Sequence, residues 1–161
     1  MKENQKFHTV RGYQLLQQNK NLLTSGMEDY LEMVYRNSLK EGYLRISRLA
    51  ELLNVQASSA TKMVQKLTRL GLLRYQKYGI IQLTESGKEI GEFLLSRHKI
   101  IEKFLKLLGV DEEVLVETEL IEHNISVDTL QNIDLLNKFM EEEPEFKEKF
   151  DKYKKDLSEN S

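Results

Sequence analysis

The sequence contains no cysteine, no tryptophan and a single proline, Pro144, among its 161 residues. Without cysteine the chain can form neither a disulfide framework nor a thiolate metal site. No apolar run approaches the roughly 18 residues that span a bilayer. The first ten residues, MKENQKFHTV, also lack the apolar core of a secretory signal. These absences predict a cytoplasmic protein that does not interact with membranes.

Acidic residues are nearly missing from one segment of the chain. Between Tyr43 and Leu83 seven Lys or Arg residues stand against one acid, Glu51, whereas 111–161 has sixteen Asp or Glu against six Lys. The net charge of the whole chain, −2, does not reveal this uneven distribution of charge. A basic segment inside a nearly neutral protein is typical of an electrostatic footprint for nucleic acid. A basic surface that is merely solvated is the alternative.

Apolar spacing predicts a mainly α-helical chain. The first firm helix follows a Ser-x-x-Glu capping box that begins at Ser25, and it ends near Lys40, before Gly42. A long helix, about 85–108, is expected to be capped by Thr84. Further helices are predicted at 111–124, at 128–141 with Ser126 as the cap, and along the apolar stripe of the tail, Phe146, Phe150, Tyr153 and Leu157.

A helix-turn-helix pattern lies between Ile46 and Leu83. The segments RISRLAELL and ASSATKMVQKLTRL each have helical apolar spacing, and a short turn, NVQ, joins them. The two runs after Gly71 flank the sequence KYG, which predicts a β-hairpin of the kind called a wing.

The polar face of the second helix suits the major groove of DNA. Small hydroxyl residues at its amino end allow close approach, while Gln and Lys can reach base edges or phosphates. Helix-turn-helix shapes also occur in modules that bind proteins, but the basic charge and the wing favour DNA. The candidate DNA-contacting residues are Arg48, Gln56, Ser58, Ser59, Thr61, Lys62, Gln65, Lys66, Arg74 and Lys77.

Acidic and histidine residues in three segments could form a metal site. The segment TELIEHN, 118–124, places two Glu and one His at offsets 0, 3 and 4, which share one helix face. Two carboxylates at i and i+3 share a face of the first helix, and one histidine lies in an apolar part of the long helix. Each feature alone is more often a solvated face or a hydrogen-bonded core histidine. The candidate ligands are Asp29, Glu32, His98, Glu119, Glu122 and His123.

The sequence resembles a known family. MEDYLEMVYR, SSATKMVQKL, SRHKIIEKFLKLLGVDEE and ELIEHNIS occur in this order, and at spacings similar to those of the manganese transport regulators. These proteins belong to the diphtheria toxin repressor family of metal-dependent transcription factors. The resemblance covers Met27 to about Phe139. It implies a mainly α fold with a winged helix-turn-helix domain, a helical dimerisation domain and no SH3-like third domain.

The resemblance also implies a metal and its ligands. The six candidates fall on the positions that bind a pair of divalent ions between the first helix, the long helix and the dimerisation helices of that family. The iron-responsive relatives use Met and Cys where this chain has Asp29 and Glu119, and carboxylate in place of sulfur favours Mn²⁺. The implied protein is a homodimer that binds pseudo-palindromic double-stranded DNA when Mn²⁺ is bound, as a repressor of metal-uptake genes.

The expected domains are an amino-terminal extension, 1–24, a winged helix-turn-helix domain, 25–90, and a metal-binding and dimerisation domain, 91–161. For the extension, DNA contact and a packing helix are both open; its basic residues are Lys2, Lys6, Arg11 and Lys20. Asn124 departs from the close relatives, in which a second consecutive His is common.

Other functions are less well supported. A metal-independent winged-helix transcription factor and an iron-responsive member of the same family are the main alternatives. Carboxylates and histidines also hold catalytic two-metal centres. No further base or nucleophile accompanies the ligands here, so an enzyme is not expected.

Overall fold

The computed structural model describes residues 11–19 and 22–160. The chain divides into two compact units, Met1–Ser96 and Arg97–Ser161. Within the described ranges, no helix is both long and apolar enough to cross a membrane.

The first unit contains the predicted helix-turn-helix and wing. Its elements are α1 (11–18), α2 (Ser25–Ser38), β1 (Leu44–Arg45), α3 (Ile46–Leu52), α4 (Ala57–Arg69), β2 (Leu73–Gln76), β3 (Ile80–Leu83) and the amino-terminal part of α5 (Glu85–Leu108).

The apolar stripe of α4 forms the centre of the first unit's core, since Ala60, Val64 and Leu67 are fully buried. The turn between α3 and α4 passes through Asn54, whose φ is +52°, a left-handed conformation that Asn tolerates better than most residues. The amide of Val55 then donates to the Ala50 carbonyl at 3.0 Å. The helix-turn-helix prediction is thereby confirmed.

The wing belongs to a small antiparallel sheet with strand order β1-β3-β2. Leu44 pairs with Ile81 from one side and Tyr75 pairs with it from the other. A 3₁₀ turn, Lys77–Gly79, joins β2 to β3 at the predicted hairpin. Strand β1 was not predicted, because two residues are too few to show an alternating pattern.

The starts of α2 and α5 are both capped by a threonine hydroxyl. The N-cap of α2 is Thr24, whose Oγ1 accepts from the Met27 amide, so the predicted capping box at Ser25 was wrong by one residue. Thr24 and Ser25 both carry a hydroxyl that could cap the helix. At α5 the predicted cap is confirmed, because the Gly87 amide donates to Thr84 Oγ1 at 3.0 Å.

Helix α1 packs against the amino-terminal part of α5. A Cβ on Gly12 would lie 2.4 Å from the Glu89 carbonyl oxygen and 2.8 Å from Phe93 Cβ, so only glycine allows this approach. Arg11 Nε donates to Glu89 Oε2 at 2.9 Å, and the ring of Tyr13 lies 5.6 Å from that of Phe93. Residues 11–18 therefore form a packing helix. The other basic residues of the extension, Lys2, Lys6 and Lys20, lie outside the described residues.

The second unit is helical in its described part. It comprises the rest of α5, then α6 (Val114–Glu122), α7 (Val127–Glu142) and α8 (Pro144–Glu159). Helix α7 begins as predicted, with Ser126 Oγ accepting from the Thr129 amide at 3.2 Å. The tail helix is also confirmed. Helix α6 is shorter than the predicted 111–124, because the chain leaves α5 through Gly109 at φ +93° and must turn before a new helix starts.

Candidate metal centre and nucleic-acid interface

The outer face of α4 carries most of the predicted DNA-contacting residues. Lys62, Gln65 and Lys66 are exposed, as are the two serines at the start of the helix. Thr61 is half-buried, and its hydroxyl donates to the Ala57 carbonyl at 2.9 Å. The hydroxyl hydrogen therefore already takes part in a hydrogen bond within the helix. Arg69 lies one turn after Lys66 on the same exposed face. Arg69 was not among the predicted DNA-contacting residues, although its i, i+3 spacing from Lys66 could have indicated it.

The wing and α3 present three further candidates. Arg74 and Lys77 are exposed on the wing, and at its tip the side chain of Tyr78 is 88% exposed with φ at +63°. Arg48 is exposed on α3, where its Nη1 lies 3.0 Å from Glu51 Oε2. This surface ion pair is worth at most about 1 kcal/mol, so DNA phosphates could replace the carboxylate at little cost.

Three of the predicted metal ligands meet in the second unit. His98 Nδ1 lies 3.0 Å from Glu122 Oε2, and His123 Nε2 lies 3.7 Å from Glu122 Oε1. Glu122 is only 1% exposed and His98 8%. Because α6 ends at Glu122 and His123 is its C-cap, one carboxylate stands between two imidazoles.

Two neighbours of this cluster were not among the sequence candidates. Glu102, one helical turn after His98, places Oε2 3.8 Å from His98 Nε2 and also accepts from Lys106. Arg97 is 4% exposed, and its Nη2 lies 3.4 Å from His123 Nδ1. The i, i+4 spacing could have indicated Glu102. Nothing in the sequence pattern marks Arg97 as buried.

The remaining predicted ligands lie on α2 and α6. On α2, Glu32 is buried and accepts from Arg36 Nη2, while Asp29 is exposed. Burial raises the pKa of Tyr30, which stands between them in sequence. Glu119 is exposed on α6.

The donor set of the second unit fits a divalent cation. A carboxylate removed from water is costly unless a positive charge compensates it, and Glu122 is almost completely buried. Its neighbours His98 and His123 can each offer a nitrogen lone pair. Oxygen and imidazole donors without sulfur suit ions such as Mn²⁺, Zn²⁺ or Fe²⁺ rather than Cu⁺.

A winged helix-turn-helix with a basic exposed helix, followed by a helical unit with a buried carboxylate–imidazole cluster, defines the class of metal-dependent DNA-binding regulators. Residues 22–81 match the family model described as iron dependent repressor, N-terminal DNA binding domain. Residues 84–151 match the model described as iron dependent repressor, metal binding and dimerisation domain. The chain belongs to this family, as its resemblance to the diphtheria toxin repressors predicted.

Relatives within the family include manganese regulators. The chain is 43% identical over 129 residues to the HTH-type transcriptional regulator MntR of Lysinibacillus sphaericus (strain C3-41), an alignment that covers 80% of this chain and 93% of the relative. For MntR of Bacillus subtilis (strain 168) the identity is 43% over 137 residues, covering 84% and 92%. A solved manganese-dependent transcriptional repressor in complex with manganese superposes with a TM-score of 0.63 at 29% identity, covering 70% of this chain. The chain spans about half of that structure, 53%.

Proposed function

We propose that this protein is a manganese-responsive transcriptional regulator, a repressor of metal-uptake genes, whose binding to double-stranded DNA is activated by Mn²⁺. The observation that carries the proposal is the buried Glu122 between His98 and His123, in a chain whose α4 presents an exposed basic face. The protein acts in the cytoplasm as a regulator rather than as an enzyme. Its relatives of similar length are transcriptional regulators.

The proposed ligands for a pair of Mn²⁺ ions are those that the resemblance assigns. Bound ions would supply positive charge that neutralises these carboxylates. His98 and Glu122 are already in contact, so α5 and α6 hold part of the set in place before metal arrives. The full set is Asp29, Glu32, His98, Glu119, Glu122 and His123.

Manganese is favoured over iron by the residue types at two of these positions. Mn²⁺ is the weakest binder in the Irving–Williams order, so a site must favour it through ligand type and geometry rather than through affinity. Carboxylates at Asp29 and Glu119 provide hard oxygen donors where the iron-responsive members carry sulfur. The similarity to a solved manganese-dependent transcriptional repressor, 29% identical, supports the same choice.

DNA recognition is assigned to α4 and the wing. The exposed amino end of α4 would enter a major groove, and Arg74 and Lys77 would contact the flanking phosphates. The family model names a dimerisation domain, so the regulator acts as a homodimer. Two-fold symmetry then requires a pseudo-palindromic site whose half-sites lie one helical turn, or a multiple of it, apart.

The decisive experiment measures DNA affinity with and without metal. A duplex selected from a random library on the Mn²⁺-loaded protein is titrated by fluorescence anisotropy in Mn²⁺, Fe²⁺, Zn²⁺, Ca²⁺ or excess chelator. We expect Mn²⁺ to raise the affinity by about 5- to 150-fold over chelator, the usual range of allosteric coupling. Equal affinity in chelator and in Mn²⁺ would refute metal activation and favour a metal-independent winged-helix factor.

The placement of α4 on DNA predicts a change in salt dependence. Lys66→Ala should weaken binding to all sequences, because one DNA phosphate is then no longer neutralised by the protein. The slope of log affinity against log salt should become shallower by about 0.9 for each such phosphate. Lys88→Ala, an exposed lysine on α5, is the control and should leave the slope unchanged. If both Lys62→Ala and Lys66→Ala keep the wild-type slope, α4 does not face the DNA backbone in this way.

A further inference from the structure

Arg97 is a buried cation beside the proposed metal ligands. It is 4% exposed, directly precedes His98 in α5, and its Nη2 lies 3.4 Å from Nδ1 of His123. Lys99, two residues further along the same helix, is exposed. Burial is therefore specific to the arginine and is not shared by the neighbouring lysine.

The chemistry of this contact conflicts with metal binding at His123. A guanidinium is always protonated and only donates hydrogen bonds, so the Nδ1 that faces Arg97 must accept and carries no proton. The ring proton then lies on Nε2, the nitrogen 3.7 Å from Glu122 Oε1. In a histidine that ligates a metal, one nitrogen gives its lone pair to the ion and the other carries the proton and donates to an acceptor.

Either mode of ligation breaks the contact. If Nε2 bound the metal, the proton on Nδ1 would point at the Arg97 donor. If Nδ1 bound the metal, the ion would take the place of the guanidinium. In both cases a divalent cation would also lie near a buried positive charge, and repulsion between like charges is strong where water is excluded.

We propose, on the basis of the proposed function, that Arg97 holds His123 as an internal cation in the metal-free protein and is displaced when a divalent ion binds. Arg97 is thus a positioning residue that lowers the affinity for metal. By doing so it raises the ion concentration at which the regulator responds. The Arg97 guanidinium, 3.4 Å from His123, also gives the metal-free cluster positive charge that the ion would later supply.

The test is calorimetric titration of Mn²⁺ into full-length wild type, Arg97→Met, Arg97→Lys and Lys99→Met. Arg97→Met removes the charge at similar length and should bind Mn²⁺ about tenfold more tightly, whereas Arg97→Lys keeps the charge and should stay closer to wild type. Lys99→Met makes the same charge change at an exposed position and should leave the affinity within about twofold. Unchanged or weaker Mn²⁺ binding by Arg97→Met would overturn the proposal.

A second measurement requires neither metal nor an amino-acid substitution. In the metal-free wild type, ¹⁵N NMR of the imidazoles should show His123 with its proton on Nε2 and with Nδ1 unprotonated. A proton on Nδ1 would overturn the proposed contact. Failure of the wild type to bind Mn²⁺ at all would refute the proposed function. The NMR result is measured on the metal-free protein, so it does not depend on that function.

Discussion

Glu122→Gln is expected to lower the affinity for Mn²⁺ by roughly 100-fold or more and to leave DNA binding at its metal-free level. The amide keeps the size of the side chain but removes the charge that holds a cation. Glu122 is 1% exposed and lies within 4 Å of both His98 and His123, so the substitution removes the carboxylate that these two imidazoles share. Calorimetry measures the first effect, and anisotropy with the selected duplex measures the second.

The matched control is Glu112→Gln, the same change at an exposed acid that precedes α6. It should keep wild-type Mn²⁺ affinity. Thermal unfolding separates a ligand role from a structural one. Without metal, Glu122→Gln should still unfold as a folded protein in a cooperative transition, but Mn²⁺ should no longer raise its unfolding temperature as it does for the wild type. If Glu122→Gln still bound DNA more tightly in Mn²⁺, Glu122 would not be a ligand.

Much of the fold follows from apolar spacing. The stripe of Ala60, Val64 and Leu67 predicted α4 and its buried face, and the hydroxyls of Thr84 and Ser126 predicted two helix starts. Local sequence patterns fail to predict an element where tertiary contacts determine whether it forms. The helix at 11–18 exists because Gly12 lets it approach α5, which no local pattern reveals.

The candidate site was predictable in part. Offsets of 0, 3 and 4 indicated that Glu119, Glu122 and His123 share a helix face, and the contact of Glu122 with His98 and His123 agrees with a common site. The complete ligand set stays a prediction. Arg97 could not be found in this way, because whether an arginine is solvated or buried depends on what packs over it.

The second unit carries an apolar surface that a partner must cover. On α6, Val116 and Leu120 are 56% and 65% exposed at i, i+4 spacing, and on α7, Leu135 and Phe139 are 62% and 44% exposed at the same spacing. Apolar side chains grouped in this way mark interaction sites. Since the family model names this region a dimerisation domain, we propose that α6 and α7 form the dimer surface.

Leu120→Asp is therefore expected to convert the dimer to a monomer at micromolar concentration, because it places a charge in an apolar interface. Affinity for the DNA site should fall by about 10²- to 10⁴-fold, because each monomer then binds one half-site independently. In the dimer, binding of one subunit holds the other subunit close to the second half-site. Sedimentation velocity measures the first effect and anisotropy the second. Leu39→Asp is the control, a leucine 60% exposed in the first unit, and should stay dimeric. If Leu120→Asp and Val116→Asp both remained dimers with wild-type operator affinity, the two-fold axis would lie on another surface of the second unit.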